Sequence, residues 1–111
     1  MNDDKNNVEN EDATLLLIRG SFSDRDKLRK YIKKTAGAIL AVFYKHGVVR
    51  LRCVGAASVN NAVKAFIRAS GIVKMKDIDF VMTAGFKSVT FDNDKNNVKT
   101  AIVFKIFEQD K

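Results

Sequence analysis

Cations crowd one short segment. In DRDKLRKYIKK, residues 24–34, Lys27, Arg29, Lys30, Lys33 and Lys34 alternate with few other groups. Clustered ammonium and guanidinium groups of this kind serve one sort of chemistry, neutralising the phosphates of a polyanion and releasing its counterions. Arg50, Arg52, Lys64 and Arg68 add to the supply further along. Phe22 precedes the first cluster and Tyr31 lies within it; an aromatic near a helix start is usually core, and stacking on unpaired bases is its other use.

Little else in the chain is equipped for bond making. General acid–base catalysis needs positioned titratable groups, and the lone histidine, His46, lies beside Gly47, where a cation suits a helix C-terminus. Asp77 and Asp79 lack further acids or histidines at ligand spacing and read as turn and edge residues. Cys53 is the one cysteine, so neither an intrachain disulfide nor an ordinary structural zinc site is expected; it sits in an apolar run as a core thiol. The stretch GAAS, residues 55–58, lacks the lysine and hydroxyl of a P-loop and is not GxGxxG. Ser58 there is a potential helix cap, and Gly55, Ala56 and Ala57 permit close approach of a backbone, either for packing, the favoured reading, or for a phosphate. No catalytic residue, cofactor or metal is expected, and the chain reads as a non-enzyme.

Charge distribution sharpens the picture. The formal net charge is +7, with a sequence pI near 9.7. Residues 1–12 hold five acids against Lys5, a net of −4, which leaves +11 for residues 13–111. A body this basic favours nucleic acid or an anionic surface; solubility alone is the plainer explanation. The opening dozen residues offer almost nothing apolar to offset ordering entropy and read as an acidic, disordered tail, which would compete with a ligand if it folded back. They are unlike a signal peptide, and no run approaches the roughly 20 apolar residues of a membrane span. The expected setting is therefore cytoplasmic, with nucleoid or nuclear association open.

These side chains need elements to position them. Thr14–Arg19 is a short apolar run bounded by Gly20, a buried strand. Ser23 or Asp24 caps a long helix ending at Gly47, with Leu28, Ile32, Thr35, Ile39 and Phe43 on one face and Lys27, Lys30, Lys33, Lys34 and Lys45 on the other. Val48–Val54 alternates as a half-buried strand, turning Arg50 and Arg52 away from Val49, Leu51 and Cys53. A second helix is expected from Ser58 to Gly71, its stripe formed by Val59, Ala62, Val63, Phe66 and Ile67, with Lys64 and Arg68 outside. Ile78–Thr90, broken near Gly85, and Val98–Phe107 form a hairpin around the turn residues DNDKNN. The last strand points Val98, Thr100, Ile102, Phe104 and Ile106 one way and Lys99, Val103, Lys105 and Phe107 the other.

Two helices and four strands in the order βαβαββ imply an α+β domain over residues 13–111, a two-layer fold with a four-stranded mixed sheet and both helices on one face. The other face would carry Arg50, Arg52, Lys99, Lys105 and Phe107. Such a mixture of cations and apolar surface suits a nucleic-acid platform or a subunit interface.

The stretch TAGAILAVFYKHGVVRLRCVGAASVNNAVKAFIRASGIV, followed by DIDFVMTAGF and KTAIVFKIF, resembles the stage V sporulation protein S family over roughly residues 14–107. Its helix of Asn-Gln-Ala-Val-Lys-Ala type is matched here by Asn60, Ala62, Val63, Lys64 and Ala65, of which only Asn60 and Lys64 offer polar chemistry. The resemblance implies an Alba-like fold, whose members are dimeric nucleic-acid binders, and a regulatory or chromosome-organising role. Between Gly20 and Thr35 the chain departs from that pattern, being longer and far more basic. The leading expectation is a homodimer or higher oligomer that binds DNA or RNA backbones with low sequence specificity. Its site would comprise Lys27, Arg29, Lys30, Lys33, Lys34, Arg50, Arg52, Asn60, Lys64 and Arg68. The alternative is a protein-interaction module whose open sheet face pairs subunits.

Overall fold

The structure, a computed structural model, describes residues 13–90 and 96–110. The acidic segment 1–12 and most of the DNDKNN turn lie outside the described residues. The elements run β1 (Leu15–Ile18), α1 (Arg25–His46), β2 (Val48–Cys53), α2 (Ala56–Lys74), β3 (Phe80–Thr90) and β4 (Val98–Glu108). They form a two-layer α+β domain whose four-stranded mixed sheet has the order β1-β2-β4-β3. This is the Alba-like βαβαββ arrangement.

Local chemistry accounts for the element boundaries. Asp24 adopts an extended backbone and its Oδ1 accepts the Lys27 N–H at 2.8 Å, satisfying one of the donors that every helix start leaves open. At the other end Gly47 takes φ 80°, a left-handed conformation that lets its N–H reach the Phe43 carbonyl at 2.7 Å. The chain then enters β2 directly.

Strand register decides which face each side chain occupies. β1 and β2 are parallel, with Leu16 opposite Leu51 and Ile18 opposite Cys53. β2 and β4 are antiparallel, pairing Val49 with Ile106 and Leu51 with Phe104. Apart from Leu16, which is half-buried and packs against them, these residues form the buried core with Ala36, Ile39 and Phe43 of α1 and Ala62, Ala65 and Ala69 of α2. The alanines keep α2 slim where it faces the core, which permits close packing, while bulk comes from the sheet and α1. Phe80 meets Phe43 edge-on at 4.8 Å and stacks with Phe66 at 6.4 Å. It thereby ties the start of β3 to both helices.

Several expectations need correction. The second helix begins at Ala56, two residues before Ser58, and continues past Gly71 to Lys74. Ser58 does not cap it: Gly55 is the N-cap residue, and the Ser58 hydroxyl is shared between the carbonyls of Val54 and Gly55, each at 2.9 Å. Inside a helix Gly71 costs about 1 kcal/mol relative to Ala, which packing of the buried face outweighs. Ile67 is not in the buried stripe, being 61% exposed. Asn61 and Ala65 are buried there instead, alongside the expected Ala62. Finally, β3 starts at Phe80 and passes through Gly85 unbroken, because Gly85 keeps its partner Val103.

Candidate functional site

α1 carries its cations on two sides. Lys27, Lys30 and Lys34 recur at helical spacing and line one cleft of about 400 Å³ together with Arg19, Phe22, Ser23 and Tyr31. Arg29 lies around the helix, lining a second hollow with Arg25, Leu28, Ile32 and Lys64 of α2. Lys33 is exposed and lines neither of these two clefts. The cluster read from the sequence is thus two surfaces, and Lys64 belongs to the second of them.

The first cleft is the more organised. Its floor is aromatic, with the Phe22 and Tyr31 rings 4.7 Å apart and tilted by 42°. The Arg19 guanidinium lies 4.4 Å from the Phe22 ring centre. Arg19 also donates its backbone N–H to the Tyr31 hydroxyl at 2.7 Å, which fixes the loop after β1 against α1. No acidic residue is among the described residues lining it. The two nearby acids are turned to other uses: Asp24 caps the helix, and Asp26 sits 4.0 Å from Arg29 in an exposed pair worth little.

What holds this loop is a residue the sequence reading passed over. Asn61 is buried, and its Nδ2 donates to the carbonyls of Arg19 at 2.9 Å and Gly20 at 3.0 Å. Two carbonyl acceptors require the amide nitrogen, so the side-chain orientation follows from the network. Gly20 comes so close to α2 that a Cβ there would sit 3.1 Å from the Ser58 nitrogen and 3.3 Å from the Ala57 Cβ. The small residues of GAAS therefore serve packing: they let the loop that carries Arg19 and Phe22 rest on the start of α2.

Asn60, the neighbour picked out from the sequence, is exposed and lines a different, largely apolar cleft with Gly55, Ala56, Val59 and Ile102. Arg68 lies on the exposed side of α2. Arg50 and Arg52 do point away from the helices, Arg50 beside Lys105 and Arg52 beside Val103 across the β2–β4 pair. Both are half-buried, and Arg50 donates from Nε and a terminal nitrogen to the Thr14 hydroxyl at 3.3 and 3.2 Å. The same face carries Leu17, 62% exposed, and Phe107, with the Lys105 ammonium 5.7 Å from its ring.

Cys53 is buried, and burial pushes its thiol up to about 11, opposed in part by a hydrogen bond from Ser58. Since the thiolate is the reactive form, Cys53 should resist alkylation by iodoacetamide at pH 8 in the folded protein and react readily in denaturant; fast native labelling would contradict this placement. No group of three or more His, Cys, Asp or Glu residues among the described residues is arranged to hold a metal. No helix among the described residues is long and apolar enough to cross a membrane.

The family model of stage V sporulation protein S (SpoVS) matches residues 29–109, nearly three quarters of the chain. The match begins after Arg19, Phe22, Ser23 and Lys27, so four of the seven residues lining the aromatic and basic cleft precede the matched segment. On the strength of that match and of the βαβαββ fold, the chain belongs to the SpoVS family of sporulation-related proteins.

Proposed function

We propose that this protein is a non-enzymatic, homodimeric nucleic-acid-binding protein that grips phosphate backbones with low sequence specificity. The observation that carries the reading is the convergence of Arg19, Lys27, Lys30 and Lys34 on one cleft with no acidic residue among its described lining. Arg25, Arg29 and Lys64 around the helix extend the positive field, and Arg50, Arg52 and Lys105 supply more on the far sheet face. Contacts of this type position a polyanion without reading its bases. A regulatory or chromosome-organising role in sporulation suits such binding.

The test is a titration of labelled duplex DNA, single-stranded DNA and RNA at several salt concentrations. Phosphate binding gives a linear fall of log K with log salt, at about 0.9 per contact for duplex and about 0.7 for single strands. Binding that ignores salt, or no binding at low salt, removes the proposal.

A second reading, an oligomerisation module, is favoured by the apolar surface of the hairpin. Phe86 is 82% exposed and pairs across the strands with Ile102, which lines both the hollow beside Phe86 and the apolar cleft at the start of α2. This surface lies on the helix side of the sheet, beyond the packed core, rather than on the face first expected to pair subunits. Sedimentation at tens of micromolar should give a dimer or larger species, and Phe86→Lys should shift it towards monomer. A strict monomer for the parent chain would count against both the dimer and this surface.

A further inference from the structure

The aromatic floor of the basic cleft has no part in gripping phosphates. We infer that this cleft takes an unpaired base, stacked on the paired Phe22 ring and Arg19 guanidinium that Tyr31 supports from the core side, with the flanking phosphates on Lys27, Lys30 and Lys34, so that the preferred ligand is single-stranded nucleic acid. The inference rests on the proposed function and adds the strandedness of the ligand.

Three observations converge on it. Phe22 is only half-buried and lies outside the hydrophobic core cluster, so its ring is not needed as core volume. Its position is nonetheless defined, by Tyr31 at 4.7 Å and the Arg19 guanidinium at 4.4 Å. Base planes stack on aromatic rings and on guanidinium planes alike. The cleft, about 400 Å³, is within the size range of small-molecule sites, and its rim is cationic along one helix edge. A duplex offers phosphates to that rim but keeps its base faces stacked on one another, so only an unpaired base reaches the floor. Single-strand binders combine these same two elements, a positive track and exposed rings, and each stacked base contributes strongly whatever its identity.

The arrangement is held from behind. Asn61 anchors the Arg19 and Gly20 carbonyls, and the Arg19 N–H bonds the Tyr31 hydroxyl. The rings are thus set before a ligand arrives, and little ordering is required on binding.

The experiment measures anisotropy of a labelled twelve-residue oligothymidylate and of a twelve-base-pair duplex with the parent chain, Phe22→Leu and Arg19→Gln. Phe22→Leu keeps apolar volume and removes the ring; Arg19→Gln changes an exposed side chain and leaves the backbone bond to Tyr31, so at least one variant should stay folded by circular dichroism. The parent should prefer the single strand at equal salt. Phe22→Leu should weaken single-strand binding about 5- to 100-fold with an unchanged salt slope, as loss of one stacked base implies, and alter duplex binding less than about twofold. Arg19→Gln should weaken single-strand binding more than duplex binding. Equal losses for both ligands, no loss with either variant, or tighter binding of duplex by the parent would overturn the inference while leaving phosphate gripping intact. Absence of binding to both ligands would overturn it together with the proposed function.

Discussion

Replacing Lys27, Lys30 and Lys34 together with alanine should cut polyanion affinity by about two to three orders of magnitude near 0.1 M salt, and lower the salt slope by about 2.7 on duplex or about 2 on a single strand. The three side chains line one cleft, so a single stretch of backbone can reach all of them. Folding should survive, because alanine is the best helix former and all three positions are exposed. The loss should be similar across sequences, since phosphates are the contact. A folded triple variant with the parental slope would place the site elsewhere, most directly on Arg50 and Arg52. Alanine at Arg29 and Lys64 provides the comparison: those residues line the other side of α1, and their replacement should reduce the slope less.

Asn61→Ala should be the more damaging single change to the fold. It removes the amide that serves the Arg19 and Gly20 carbonyls, leaving acceptors in a tightly packed place without a partner. That costs about 1–3 kcal/mol, or a fall in Tm of about 5–15 °C for a domain of this size. Nucleic-acid binding should weaken as well, because the loop bearing Arg19 and Phe22 loses its tie to α2. Asn60→Ala, one residue away and exposed, should stay within about 0.5 kcal/mol of the parent. Equal thermal melts for the two variants would show that the buried amide does not hold the loop.

The contrast between these two asparagines marks how far sequence reasoning reaches. Alternation in VVRLRC was enough to turn Arg50 and Arg52 away from the core, and the pairing of Leu51 with Phe104 and Val49 with Ile106 agrees with it. Strand periodicity is local, as is the capping of α1 by Asp24 and Gly47, and such features are written in consecutive residues. The fold class, the element order and the SpoVS resemblance were legible for the same reason.

Helix phase was less secure where residues are small or mixed. In α2 the buried positions are Ser58, Asn61, Ala62, Ala65, Ala69 and Val73, a stripe of mostly small residues; Val63 and Phe66 pack against the core beside it as expected, while the large Ile67 pulled the expected phase away from Asn61. Following Ala62, Ala65 and Ala69 back by one turn points to Asn61 and Ser58 rather than Asn60, so a signal was present in spacing, though not in residue type. The grouping of Arg19 with Lys27, Lys30 and Lys34 had no such local signal. It depends on how the loop after β1 folds over α1 and rests on Ala57 and Ser58 through Gly20, contacts between residues tens of positions apart. Charge and periodicity along the chain therefore specified a basic βαβαββ domain. Which cations share a surface, and that Arg19 lies over the Phe22 ring beside Tyr31, was settled only by packing, because neighbours in space are chosen by shape and hydrogen bonding across elements and not by order in the chain.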